Sequence, residues 1–165
     1  MTVTLSTPVR QPRLKDRRLF LRVLREAVEL TRLGQAPGFG PADELRVILV
    51  GGRTMARLNA GFLGHGGCTD VLAFGLGGAG AGPGPGVAGE IYICPAVAAA
   101  AALRFGTSLA DECVLYAVHG MLHLVGFDDG EPVARRAMRR AERRVMARLR
   151  ASADFGAIFV RSAVS

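Results

Sequence analysis

The segment from about Leu109 to Leu124 constrains the fold most, because it predicts a helix that is apolar around much of its circumference. Ser108 and Asp111 form a short capping-box pattern, which predicts where this helix begins. Apolar residues then recur at Cys113, Leu115, Val118, Leu122 and Leu124. A helix with this pattern is buried on several sides, so we expect the other elements to pack around it.

The predicted central helix carries two of the three histidines of the chain, His119 and His123. Residues four apart lie on one helix face about one turn, or roughly 5.4 Å, from each other, so both imidazoles can bind one divalent ion. Gly126, a residue that tolerates the conformation of a helix end, precedes the carboxylates of Asp128 and Asp129. Either carboxylate completes a three-ligand set with one position open for water, as catalytic zinc requires. The alternative is that both histidines are ordinary core or surface residues.

Strand-like and helix-like segments alternate along the chain and predict an α/β fold, with a small mixed β-sheet packed by helices and the metal site on the central helix. Strands are predicted at Thr2–Leu5, Leu45–Val50, Thr69–Phe74 and Glu90–Cys94. The other helices are predicted from a cap at Asp16 to a stop at Gly34, through Met55–Phe62, at Pro95–Phe105 and at Glu131–Arg150. The glycine-rich stretch at residues 75–89 is expected to be mobile. We predict one domain over residues 1–150 and a C-terminal tail over residues 151–165.

The charge of the chain indicates a polyanionic partner. The formal net charge is +7, and the segment Glu131–Arg150 alone carries eight arginines against two glutamates. Basic side chains along one helix bind nucleic-acid phosphates, so we predict an RNA-binding surface. Its residues are Arg135, Arg136, Arg139, Arg140, Arg143 and Arg144. The alternative is a compositional bias toward arginine, such as a GC-rich genome imposes without any binding role.

The sequence argues against two other classes of protein. No apolar run reaches the length of a membrane span, and the N-terminus lacks the apolar block of a signal peptide, so we predict a cytoplasmic protein without a membrane partner. The three cysteines, Cys68, Cys94 and Cys113, are odd in number and scattered, which argues against a disulfide framework.

Four segments together resemble the YbeY family of metal-dependent endoribonucleases. HGMLHLVGFDD, at residues 119–129, is similar to the family motif H-G-x-L-H-L-x-G-Y/F-D-H, and LVGGRTMARLNAGF, TDVLAF and GEIYIC are similar to other family segments in the same order. The resemblance extends from about Leu45 to Arg150. It implies a single-strand-specific endoribonuclease that acts in ribosomal RNA processing and in ribosome maturation and quality control. The implied partners are ribosomal RNA and the small ribosomal subunit.

The resemblance also implies one divalent ion held by His119, His123 and Asp129. Zinc is the expected ion, with manganese or another divalent ion as the alternative. A water on the ion would be the nucleophile, because a bound cation lowers the pKa of water and polarises a phosphoryl oxygen. Asp128 is a candidate for orienting a metal ligand, and its alternative role is that of a turn cap.

The chain departs from the family at two positions. Asp129 stands where the family has a third histidine, and Leu63 stands where the family has an arginine expected to face the phosphate. An anionic oxygen ligand lowers the Lewis acidity of zinc, and leucine cannot balance the charge of a phosphate. These departures leave a second function open, that of an RNA-binding ribosome-assembly factor with a structural metal and weakened catalysis. A zinc peptidase is a third candidate, but Gly120 stands where the HEXXH peptidases have their catalytic glutamate.

Overall fold

Four strands form one mixed β-sheet against which the helices pack. The computed structural model describes residues 1–9, 12–63, 68–77 and 86–160. Its strands are β1 (Thr2–Ser6), β2 (Glu44–Leu49), β3 (Val71–Gly75) and β4 (Val87–Ile93). They lie in the order β1–β2–β4–β3, in which β1, β2 and β4 are parallel and β3 is antiparallel to β4. The predicted mixed sheet is confirmed, and β3 forms one of its edges.

The helices of the described residues agree with the predicted ones. They are α1 (Arg17–Thr31), α2 (Gly52–Leu63), α3 (Pro95–Phe105), α4 (Leu109–Leu124) and α5 (Pro132–Ser152). The predicted stop of α1 at Gly34 is wrong, because Arg32 already adopts the left-handed conformation with φ 59° and donates its N–H to the carbonyl of Glu29. The α/β class is confirmed. In the described ranges, no helix combines the length and apolar character that crossing a membrane requires.

Helix α4 lies at the centre of the domain, as its apolar pattern predicted. It contacts α1, α3 and α5 as well as β3 and β4. The predicted capping box is present, because Ser108 Oγ accepts a hydrogen bond from the Asp111 N–H at 3.0 Å and Asp111 Oδ2 accepts one from the Ser108 N–H at 3.3 Å. These bonds satisfy two N–H groups at the helix start that have no partner within the helix. The first turn of α4 is thereby fixed.

Gly120 brings the middle of α4 close to the sheet. A Cβ atom at this position would lie 3.0 Å from Ile91 Cγ2 and 3.4 Å from the Cβ of Ala73, and Ile91 and Ala73 are paired residues of β4 and β3. A side chain at this position therefore requires Ile91 or the helix to shift by a few tenths of an ångström. Because His119 is the preceding residue, this contact also sets how far the first histidine lies from the sheet.

The chain beyond α5 packs onto the same core. Phe155, Ile158 and Phe159 are buried, and Phe159 forms an isolated antiparallel bridge with Leu14. The division into a domain of residues 1–150 and a tail of residues 151–165 stays a prediction. Residues 161–165 of this tail lie outside the described residues, as do positions 78–85 of the glycine-rich stretch that is expected to be mobile.

The contact at Gly120 predicts that Gly120→Ala lowers the free energy of unfolding by about 1 kcal/mol, because an overpacking cost of about 2 kcal/mol exceeds the gain in helix propensity of about 1 kcal/mol. Gly61→Ala in α2 is the matched control, since beyond the local helix backbone no atom of the described residues lies within 4 Å of the added Cβ. We expect Gly61→Ala to be neutral or stabilising. Urea unfolding measures both, and a Gly120→Ala protein as stable as the wild type would contradict the prediction.

Candidate metal centre

Helix α4 places His119 and His123 one turn apart with their rings facing the same side. Their Nε2 atoms are 2.9 Å apart, and the two rings meet edge to face with centroids separated by 4.5 Å. Both side chains are partly buried, with exposed fractions of 23% for His119 and 34% for His123. The pair therefore lies at the border between the core and the solvent, where it can reach an ion from outside.

His119 is held in place by Glu142, a residue that the motifs did not indicate. Its Nδ1 atom lies 2.7 Å from Glu142 Oε1, which comes from α5 and is only 17% exposed. The sequence offers only a weak indication that Glu142 has a partner. Glu142 occupies the apolar stripe of α5, among Met138, Val145 and Met146, where a carboxylate without a partner would be costly.

His123 is held by the loop that follows α4. Its Nδ1 atom donates to the carbonyl of Phe127 at 3.0 Å. The chain can fold back this tightly because Gly126 adopts a positive φ of 102° and the Phe127 N–H bonds to the Leu122 carbonyl at 2.9 Å. The predicted break at Gly126 is confirmed, and the break itself supplies the partner of His123.

Asp129 is the carboxylate that meets the two histidines. Its Oδ2 atom is 3.9 Å from His119 Nε2, and its Oδ1 atom is 3.8 Å from His123 Nε2. One potential ligand atom from each of the three residues lies within 4.8 Å of the others. The side chain of Asp129 is 46% exposed, so it forms the solvent side of the cluster.

The donor set fits a divalent ion. The Glu142 carboxylate and the Phe127 carbonyl accept hydrogen bonds, so each Nδ1 carries the proton and each Nε2 keeps a free lone pair. Two lone pairs at 2.9 Å repel each other unless a proton or a cation lies between them. Ligand atoms about 2.1 Å from a tetrahedral zinc ion are about 3.4 Å apart. The two Nε2 atoms are slightly closer, at 2.9 Å, and each lies slightly farther, at 3.8–3.9 Å, from one oxygen of Asp129.

The electrostatic field at His119 favours positive charge. Burial by itself lowers the pKa of the imidazole, but the hydrogen bond and the charge of Glu142, together with the charges of Asp129 and Asp70, outweigh burial. The pKa of His119 is therefore raised above its usual value. The negative groups that stabilise a proton on this histidine also stabilise a metal cation bound beside it.

Asp128 closes the turn that follows α4. Its Oδ1 atom accepts hydrogen bonds from the Asp129 N–H at 2.8 Å and the Gly130 N–H at 3.2 Å, and these bonds lower the pKa of its carboxyl group. In the described residues it makes no hydrogen bond with either histidine. Its contacts are those of a turn cap, the second of the two roles considered for it, and Glu142 is the carboxylate that contacts His119.

The arginines of α5 form an exposed surface next to the cluster. All six predicted RNA-binding arginines are solvent-exposed, namely Arg135, Arg136, Arg139, Arg140, Arg143 and Arg144. Arg135 differs from the rest because its guanidinium donates to the carbonyls of Asp129 and Gly130. Leu63, which stands where an arginine was expected, is the last residue of α2, and its side chain lies outside the described part of the structure.

The chain is similar to known proteins along most of its length. The family model described as Endoribonuclease YbeY matches residues 9–150. The sequence is 42% identical over 125 residues to an Endoribonuclease YbeY of Salinispora tropica, and the aligned region covers 70% of this chain and 80% of the relative. It is 34% identical over 132 residues to an Endoribonuclease YbeY of Chlorobaculum parvum, with 80% and 88% covered. A solution structure of a protein from Thermotoga maritima superimposes on this chain with a TM-score of 0.56 and a sequence identity of 21%. The superposition covers 92% of this chain and 93% of the other, so the two proteins share the fold.

The contact between His119 and Glu142 predicts that Glu142→Gln weakens the binding of a divalent ion by about tenfold or more, because a neutral amide orients the imidazole less well and leaves it less basic. Glu131→Gln is the matched control. It removes the same charge at the start of the same helix, where the glutamate makes no side-chain capping bond. Competition with a chromophoric chelator measures both affinities, and equal losses in the two variants would show that charge alone is responsible.

Proposed function

Because the chain belongs to the Endoribonuclease YbeY family, we propose that it is a single-strand-specific endoribonuclease that uses one divalent ion held by His119, His123 and Asp129. Family membership makes the protein a nuclease, a hydrolase of RNA, and confirms the resemblance that the four motifs indicated. The proposal adds to this the ligand set, the preference for single strands, and a role in ribosomal RNA processing and in ribosome maturation and quality control. The proposed partners are ribosomal RNA and the small ribosomal subunit in the cytoplasm.

One observation carries the proposal, namely that both histidine Nδ1 atoms are engaged while both Nε2 atoms converge beside a carboxylate. Two histidines that served only packing would not need partners that fix the proton on the same nitrogen of each ring. The partners come from different segments, since Glu142 belongs to α5 and Phe127 to the loop after α4. The arrangement supports metal ligation better than it supports a structural role for the histidines.

Each residue of the site is proposed to have its own role in the hydrolysis of RNA. When bound, a divalent ion polarises a phosphoryl oxygen and makes a bound water more acidic. His119 and His123 hold the inner side of the site, because both rings are fixed by hydrogen bonds. Asp129 is the most exposed of the three residues and leaves the outer side accessible to a phosphodiester. Two imidazoles and one carboxylate with an open position are a known catalytic zinc set, so we propose zinc, with manganese or another divalent ion as the alternative.

The exposed arginines of α5 are proposed to hold the RNA backbone. Arg139 lies one turn before Glu142 on a similar face of the helix, so it is close to the proposed site. Arg136, Arg140, Arg143 and Arg144 extend the positive surface away from the site around the same helix. Contacts of this kind are independent of base sequence and weaken with salt.

The geometry gives no support to a zinc peptidase. HEXXH peptidases carry their catalytic glutamate directly after the first histidine, and here that position is Gly120, which packs against Ile91 and has no carboxylate. The partly buried carboxylate of Glu142 contacts the pair, but it contacts Nδ1 of His119, on the opposite side of the ring from the Nε2 that faces His123. A carboxylate on that side of the ring orients the histidine and cannot act on a water at the open position.

The proposed ligand set predicts that His119→Ala lowers the rate of RNA cleavage by at least about 100-fold, because several kcal/mol of transition-state stabilisation depend on the ion. Asp129→His keeps or raises the rate, since it restores a neutral ligand at similar bond length. Cleavage of a ribosomal RNA fragment with single-stranded and paired regions measures both, with metal content determined on the same samples. Undiminished cleavage by His119→Ala would exclude the metal mechanism. If neither wild type nor Asp129→His cuts RNA while both bind it, the assembly-factor function is correct.

The arginine surface predicts a change in the salt dependence of RNA binding. Replacing Arg139 and Arg143 by glutamine reduces the slope of log affinity against log salt by about 1.4, because each lost phosphate contact on a single strand contributes about 0.7. The control replaces Arg25 in α1 and Arg32 directly after α1, both exposed, by glutamine and removes the same charge. Filter binding in the presence of a chelator measures the slopes without cleavage. Equal slopes for the two double variants would show that α5 does not contact the RNA.

A further inference from the structure

The loop that carries Asp129 is held at three points, and the third is a side chain of α5. The Phe127 N–H and carbonyl attach the start of the loop to Leu122 and His123. Asp128 Oδ1 accepts from two backbone N–H groups in the middle of the loop. Beyond Asp128, the side chain of Arg135 reaches back along the helix and attaches the end of the loop to α5.

Arg135 makes two short hydrogen bonds to consecutive carbonyls. Its Nε atom donates to the Asp129 carbonyl at 2.8 Å, and its Nη2 atom donates to the Gly130 carbonyl at 2.8 Å. The planar guanidinium presents these donors in a rigid fork, so both peptide planes are oriented together. The backbone of Asp129 is thereby fixed on both sides, because its N–H is bound by Asp128 and its carbonyl by Arg135.

Among the described residues, none forms a comparable hydrogen bond with the Asp129 side chain. Its carboxylate is 46% exposed and lies 3.8 and 3.9 Å from the histidine nitrogens, beyond hydrogen-bond distance. The position of this carboxylate therefore depends on the backbone that carries it. We propose that Arg135 is a positioning residue, which sets the Asp129 carboxylate against the two histidines by holding the carbonyls of Asp129 and Gly130. This role rests on the proposed metal site, and it differs from the phosphate contact that the sequence suggested for Arg135.

The neighbouring Arg136 offers a matched control. It is exposed on the same helix, carries the same charge and makes no hydrogen bond or ion pair among the described residues. Arg135→Ala weakens the affinity for zinc by about tenfold, which is the lower end of the range for residues that orient a ligand. Arg136→Ala leaves that affinity unchanged. Arg135→Lys keeps the charge but loses the fork, so it also weakens zinc binding.

Two measurements keep the role of Arg135 separate from the proposed function. Zinc affinity is obtained by chelator competition, and amide hydrogen exchange of the Asp129 and Gly130 N–H groups is followed in the metal-free protein. Faster exchange in Arg135→Ala than in Arg136→Ala, together with the weaker zinc binding, supports the positioning role. Equal exchange and equal zinc affinity in the two variants would overturn it. A wild-type protein that binds no divalent ion removes the proposed metal site itself.

Discussion

The close approach of α4 to the sheet at Gly120 is the contact on which the rest of the arrangement depends. A helix that lies against β3 and β4 on one side, and against α1, α3 and α5 on others, has few directions left in which a polar side chain can reach solvent. His119 and His123 occupy that remaining face at one end of the helix. Their position at the border of the core thus follows from the packing of the helix backbone.

Hydrogen bonds from other segments compensate for the water that the two imidazoles lose at this border. Glu142 and the Phe127 carbonyl each take the proton-bearing nitrogen of one ring, and no buried side-chain polar atom in the described ranges lacks a partner. A half-buried imidazole with a fixed proton is a rigid ligand, since both its ring orientation and its free lone pair are determined. The same contacts that satisfy the core thereby direct both free nitrogens to one point.

Local patterns were sufficient to predict α4, its capping box, the histidine pair and the break at Gly126, because each depends on residues within a few positions of one another. The partner of His119 was not predicted. Glu142 lies 23 residues away in a helix rich in arginine, where a glutamate is equally consistent with a surface ion pair. The choice between Asp128 and Asp129 as turn cap was also beyond local patterns, because adjacent residues differ only in the direction that the folded loop gives them.

The strand order has a consequence for how the chain reaches this structure. Val3 pairs with Leu45, and Val47 pairs with Ile91, so each parallel pairing closes a chain segment of about forty residues before any contact compensates the lost entropy. The sheet is therefore expected to form slowly, whereas a helical turn between His119 and His123 forms within microseconds. During folding the two nitrogen ligands are thus adjacent early, while the carboxylate of Glu142 joins His119 only when α5 docks against α4.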